Sequence, residues 1–216
     1  MTETSPPPGP VTASDVTLAV RSAIVALRAG ADADWSVPAG DLEWDCRETA
    51  DHIADDLFAY AVQLGPQNPP RDTHVPFGWA QRRPGGPAVT VYTDPSGGID
   101  AVLQVMDASG ALLSAMVATA SPDLRSHHVH GVADPEGFAA MGVVETLIHT
   151  HDIATGLGVD WQPDPALCAR ATARLFSDAP TDTDAWSALL WCAGRAALPD
   201  RPRLTEWRWW GAPRTD

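Results

Sequence analysis

The segment from Asp134 to Gly158 constrains this chain more than any other, because it carries the signals for both ends of one long helix. Asp134 is a favourable N-cap, and Pro135 suits the first helical position, where its missing N–H has no partner to lose. Gly158 can adopt the left-handed conformation that closes a helix after about six turns. Within it, Phe138, Met141, Gly142, Glu145, Ile148, His149 and Asp152 fall on one face at helical spacing. Such a helix is stabilised chiefly by packing that face on other helices, so the rest of the chain must supply them.

It does so three more times. Ala13–Ala29 repeats Val16, Ala19, Val20, Ala23, Ile24 and Leu27 at three-and-four spacing, with Thr12 as cap, Asp15 in the first turn and Gly30 placed for a left-handed C-terminal residue. A second helix starts at Asp45, whose partner Glu48 completes a capping-box pattern, and carries the stripe Ala50, Ile53, Ala54, Leu57, Ala61 and Leu64 up to Gly65-Pro66. Residues 66–98 are rich in Pro, Gly and charge, which predicts a long loop with one short β-run at Ala88–Tyr92; loops this long are often functional. A third helix follows at Ile99–Ala118, weakened by Gly110 in its middle. Helical segments near 165–176 and 184–197 and a Trp-rich end, EWRWWGAP, complete the chain. The expectation is a mainly α protein: a disordered Pro-rich tail over 1–11, a four-helix bundle over 12–160 with a long connection between its second and third helices, and a short C-terminal helical extension over 161–216 packed on the bundle.

Charge and composition remove several classes of function. A net charge of −14 opposes nucleic acid and anionic membranes, and no basic cluster offsets it. No run approaches the roughly 18 consecutive apolar residues of a membrane span, and the N-terminus lacks the basic start and apolar core of a secretory signal, so a cytoplasmic location is expected. All 14 basic residues are Arg, which excludes Schiff-base, pyridoxal-phosphate and P-loop lysine chemistry. That usage, with abundant Ala, Gly, Pro and Asp, also suits a GC-rich bacterial genome. Cys46, Cys168 and Cys192 are odd in number and widely spaced, which reads as reduced buried thiols.

Two ionisable residues on the apolar face of the long helix require a reason, because an unpaired buried charge is costly. Glu145 and His149, four apart, project side by side, and His52 at the inner edge of the second helix can face them. Together they can supply three ligands to one divalent ion, the way helical bundles build metal sites; a buried Glu–His hydrogen bond is the alternative. Asp152 can orient His149 from behind, whereas His151 points away. His127, His128 and His130 fall in a loop before the long helix that reads as solvated, with lining the mouth of the site as the alternative, and Tyr60 is a candidate hydrogen-bond donor near the pocket, with core packing as the alternative. Arg82, Arg83, Arg208 and Trp209 are candidates for contacting a small ligand, with Trp207 and Trp210 beside them, although the tryptophans read first as staples of the tail on the bundle; Cys46 is read as inert.

The stretches WDCRETADHIADDL and GFAAMGVVETLIHTHDIATGLG resemble the DinB/YfiT-like metalloprotein family, and within it the mycothiol-dependent maleylpyruvate isomerase branch. The resemblance runs from about Ala13 to Gly158 and implies that His52, Glu145 and His149 bind zinc in a four-helix bundle. It further implies that the metal holds a low-molecular-weight thiol, mycothiol, as nucleophile toward a small electrophile, in an actinobacterial cytoplasm. Residues 161–216 match the branch's C-terminal domain poorly, so neither the isomerase reaction nor catalytic residues of that domain carry over. A non-catalytic metal-binding bundle with a stress-related or regulatory role is the alternative. Two His and one carboxylate also describe non-haem iron oxygenases, though these usually build their site on a β-barrel. A homodimer is compatible with the surplus Trp, but no residue pattern fixes it.

Overall fold

A computed structural model describes residues 8–213. Most of the Pro-rich tail, residues 1–7, therefore lies outside the described residues. At the end of that tail Val11 is buried, and its N–H donates to Glu136. The chain is mainly helical: α1 (Ala13–Arg28), α2 (Cys46–Gln63), α3 (Gly98–Thr119), α4 (Pro135–Leu157), α5 (Pro165–Leu175) and α6 (Ala185–Cys192). Two short antiparallel strands, β1 (Ala80–Gln81) and β2 (Ala88–Val89), form a small hairpin in the long connection between α2 and α3. The expected β-run to Tyr92 stops at Val89, because Thr90 and Val91 turn their N–H groups to the Asp55 carboxylate instead of a strand partner.

The helix ends follow their capping chemistry. Asp45 accepts from Glu48 N–H while the Glu48 carboxylate accepts from Asp45 N–H, so α2 opens with a reciprocal cap. Asp134 accepts from Gly137 N–H, and Gly158 closes α4 at φ +67°. Gly30 differs from expectation: α1 ends without a left-handed residue. Its small size serves packing instead, since a Cβ there would stand 3.0 Å from both Leu157 and Val159. The last helix ends at Cys192, short of the expected Ala197, where Gly194 turns the chain at φ +64° beneath Trp207.

α1 and α2 each pack against both α3 and α4, and α5 lies on α4 with α6 against it. One continuous apolar core joins Val20, Leu27, Ile53, Leu57, Leu103, Leu113, Phe138, Leu147, Leu167 and Leu175. The sequence pattern gave α4 a single buried face; in the structure Ala140, Val143, Leu147 and Thr150 are buried as well, because α1, α2 and α5 surround it. α4 is thus a rigid central post, and a polar group on it is positioned by packing on several sides. Pro95–Thr119, which includes α3 and the 3₁₀ turn before it, is long and apolar enough by mean hydropathy (1.5) to cross a membrane, although Asp100, Gln104 and Asp107 interrupt its apolar run. Its Val102, Leu103, Met106 and Leu113 are buried in the core.

Arg174 on α5 ties down the C-terminal chain. It donates to the Asp134 carboxylate and to the carbonyls of Gly211 and Ala212, and lies 3.9 Å from Glu136, the residue that holds Val11.

Candidate metal centre

Two helices and one loop build the site. On α2, the capped start at Asp45 fixes the helix phase so that Ile53 and Leu57 enter the core and His52 sits at the edge of that stripe. On α4, Glu145 and His149 face it. Donor atoms of His52, Glu145 and His149 all lie within 4.8 Å of one another. Glu145 Oε2 is 3.1 Å from His149 Nε2, with the two side chains only 12% and 9% exposed. The His52 and His149 rings meet edge to face at 4.9 Å, and Trp44, from the loop before α2, covers His52 at 4.8 Å.

The second ring nitrogen of His149 has its own partner. Nδ1 lies 3.0 Å from Asp152 Oδ2, and Asp152 is in turn gripped by Arg195, whose Nη2 and Nε donate to its two oxygens at 2.8 and 3.1 Å. This leaves Nε2 to face Glu145 and His52, the arrangement that orients a ligand histidine in metalloproteins. Arg195 comes from the chain after α6, and its remaining Nη1 donates to Ala193 O.

Two further groups complete the inner wall. Tyr60, one of the sequence candidates, donates to Glu145 Oε1 at 3.5 Å. Asp56 was not singled out from the sequence, although its position one turn after His52 places it on the same helix face. Its Oδ2 is 3.2 Å from His52 Nε2 yet makes no hydrogen bond and is shielded from solvent. Asp51 and Asp55 on the same helix are explained by the loop they hold: Asp51 accepts from the Thr93 hydroxyl, and Asp55 from Thr90 and Val91 N–H.

The electrostatics reflect this crowding. Burial, reinforced by His149, lowers His52 to a pKa of about 4, so it is neutral at pH 7. Burial opposes the charge on His149 too, but its hydrogen bonds to Asp152 and Glu145 prevail and raise it to about 9. Burial and the neighbouring Glu145 push Asp56 well above the usual carboxylate range. Burial, with Asp56 and Glu145 next to it, likewise raises the Tyr60 phenol. Carboxyl groups of Glu145 and Asp56 side by side, with histidine nitrogens pointing at them, form a site that a divalent cation would neutralise. The residues fit such an ion, and His52, Glu145 and His149 can hold it.

Above them opens a cavity of about 420 Å³ lined by Leu42, Trp44, Ile148, Arg195, Trp207 and Trp209 among others. Trp209 thus lines the site as considered from the sequence, but Arg82, Arg83 and Arg208 are elsewhere. Arg82 stacks on Tyr92, Arg83 pairs with Glu48 and so ties the hairpin to α2, and Arg208 stacks on Trp210 beside a different cavity. Each is drawn away by a nearer aromatic or acidic partner. His151 packs against Trp186, outside the donor group. The 127–130 loop is not simply solvated: His128 is buried, stacked on Trp209 and edge-on to Tyr60. All three cysteines are free and buried, and burial pushes Cys46 up to about 11, which makes its thiol inert. Arg195 went unnoticed in the sequence, since no spacing signal links it to a helix 43 residues earlier.

Comparison of the chain with protein-family models, curated proteins and solved structures finds no match.

Proposed function

We propose that this is a cytoplasmic metal-dependent enzyme that activates a low-molecular-weight thiol, mycothiol by family resemblance, for transfer to or isomerisation of a small electrophile. The reading treats α1–α4 as a DinB-like four-helix bundle and zinc or another divalent ion as the resident metal. The observation that carries it is the convergence of His52, Glu145 and His149 at the floor of an aromatic-walled cavity, with His149 oriented from behind by Asp152. Two imidazoles and one carboxylate leave coordination open to an external ligand, as catalytic rather than structural sites do. A metal there would supply the acidity that turns a bound thiol into a thiolate at neutral pH.

The chain's own groups divide the remaining work. Asp152, clamped by Arg195, holds the His149 ring so that Nε2 faces the site. Tyr60 donates to Glu145 and fixes its carboxylate. Trp44, Trp207 and Trp209 offer flat apolar walls that exclude water and can stack on an unsaturated substrate. Arg195 commits three of its five N–H donors to Asp152 and Ala193 and lines the same cavity.

Elemental analysis of the purified protein, followed by spectroscopy of the cobalt-substituted form with and without mycothiol, tests this. About one metal per chain and a sulfur-to-cobalt charge-transfer band on adding thiol are expected. Metal without any response to thiol would support the non-catalytic alternative. His149→Ala should lose the metal and keep the helical circular-dichroism signal; unchanged metal content in that variant would remove His149 from the ligand set.

A further inference from the structure

Asp56 is the one carboxylate of α2's inner half whose position the fold leaves unexplained. Asp51 and Asp55 each accept backbone N–H groups from the 90–93 segment. Asp56 faces the opposite way, and its Oδ2 is sealed from solvent with no hydrogen-bond partner. A buried carboxylate oxygen without a donor is expensive, and packing alone gives no reason to retain it. Its two neighbours are His52 and Glu145, both members of the donor group.

The separations have a common meaning. Ligand atoms bonded to one ion at about 2.1 Å stand about 3.0–3.4 Å from adjacent ligand atoms, for octahedral to tetrahedral angles. His149 Nε2 and Glu145 Oε2 are 3.1 Å apart, and His52 Nε2 and Asp56 Oδ2 are 3.2 Å apart. Each helix therefore presents one His–carboxylate pair, four residues apart, at the spacing of a coordination edge. The pairs face each other across the gap between α2 and α4, with Asp56 outside the 4.8 Å span that joins the other three donors, so its side chain must swing inward to complete the set.

We infer that Asp56 is a fourth protein ligand, so that the centre is a two-histidine, two-carboxylate site built from matched pairs on α2 and α4. This deepens the proposed function and rests on its metal reading. Two carboxylates and two neutral imidazoles cancel the charge of a divalent ion, and four protein donors with room for an external ligand suit five- or six-coordinate ions. A mixed imidazole–carboxylate set with five or six positions suits Mn²⁺, Fe²⁺ or Co²⁺ as well as zinc.

Cobalt titration of the wild type, Asp56→Asn and Asp56→Glu, with a competing chelator, tests the assignment. The wild type should show the weak visible bands of five- or six-coordinate cobalt. Asp56→Asn should bind cobalt at least tenfold more weakly, with intensified bands as the coordination number falls, while Asp56→Glu recovers part of the affinity. The metal-free Asp56→Asn protein should melt no lower than wild type, because its amide can give Glu145 the same hydrogen bond that the protonated Asp56 carboxyl gives. That readout separates a ligand from a residue needed for folding. Unchanged cobalt affinity and spectrum in Asp56→Asn would overturn the fourth ligand and leave the three-residue site standing. A wild-type protein that binds no cobalt would instead overturn the metal reading beneath it.

Discussion

His128 stacks on Trp209, meets Tyr60 edge-on, and accepts the His130 N–H at Nδ1. Burial, with the neighbouring His130 adding repulsion, lowers its pKa to about 4, from an ordinary value of about 6.5 in the unfolded chain. Between these values the unfolded chain takes up a proton that the folded chain refuses. Stability is therefore intact above pH ~6.5 and falls as the pH drops toward 4, by at most about 3 kcal/mol from this residue. Thermal unfolding of His128→Phe across that range should show a shallower loss with acid than wild type; equal slopes would mean His128 is not the group responsible. Metal ligands and His128 differ in how far sequence reveals them. Glu145 and His149 could be paired from their four-residue spacing on an apolar face, because helical geometry alone makes them neighbours. The surroundings of His128 were hidden, since its burial depends on Trp209, 81 residues later, and no local pattern records that contact.

At the scale of elements, α1 and α3 come together at Gly110. A Cβ there would lie 2.7 Å from Val20 Cγ2 and 3.0 Å from Cγ1. Alanine would gain up to about 1 kcal/mol of helix propensity over glycine. Val20 is β-branched and buried, so it cannot swing aside, and overpacking costs about 1–3 kcal/mol. The clash outweighs the propensity: Gly110→Ala should lower stability by about 1 kcal/mol in urea denaturation, and a stabilised variant would show that α1 can shift outward. Glycine at this point, a weakness in the sequence reading, is what permits the close approach. The helices themselves were legible because their ends carry local chemistry, as in Asp45 with Glu48 and Asp134 with Pro135 and Gly158. The span of α6 was overestimated because Gly194, at φ +64°, closes it with Arg195 N–H donating to Leu190 O, a local glycine stop that the reading to Ala197 ran past.

For the molecule as a whole, residues after α5 do more than cover the helices. Arg195, Trp207 and Trp209 form part of the cavity, and Arg195 closes the Asp152–His149 chain. The Arg195–Asp152 pair is largely sealed, with side chains 12% and 5% exposed. Removing one partner from such a pair costs about 3–5 kcal/mol, because the other charge stays behind. Arg195→Met should therefore lower the Tm by about 10 °C in calorimetry and weaken metal binding in the same protein. Loss of stability with metal affinity intact would confine Arg195 to holding the tail. The distant latch at Arg174 has a different consequence. Val11 hangs from Glu136, the Gly211 carbonyl hangs from Arg174, and both anchors meet at the first turn of α4. Loosening Val11 or the Gly211 carbonyl therefore disturbs the same clasp, so fraying at one of these positions should weaken the hold on the other.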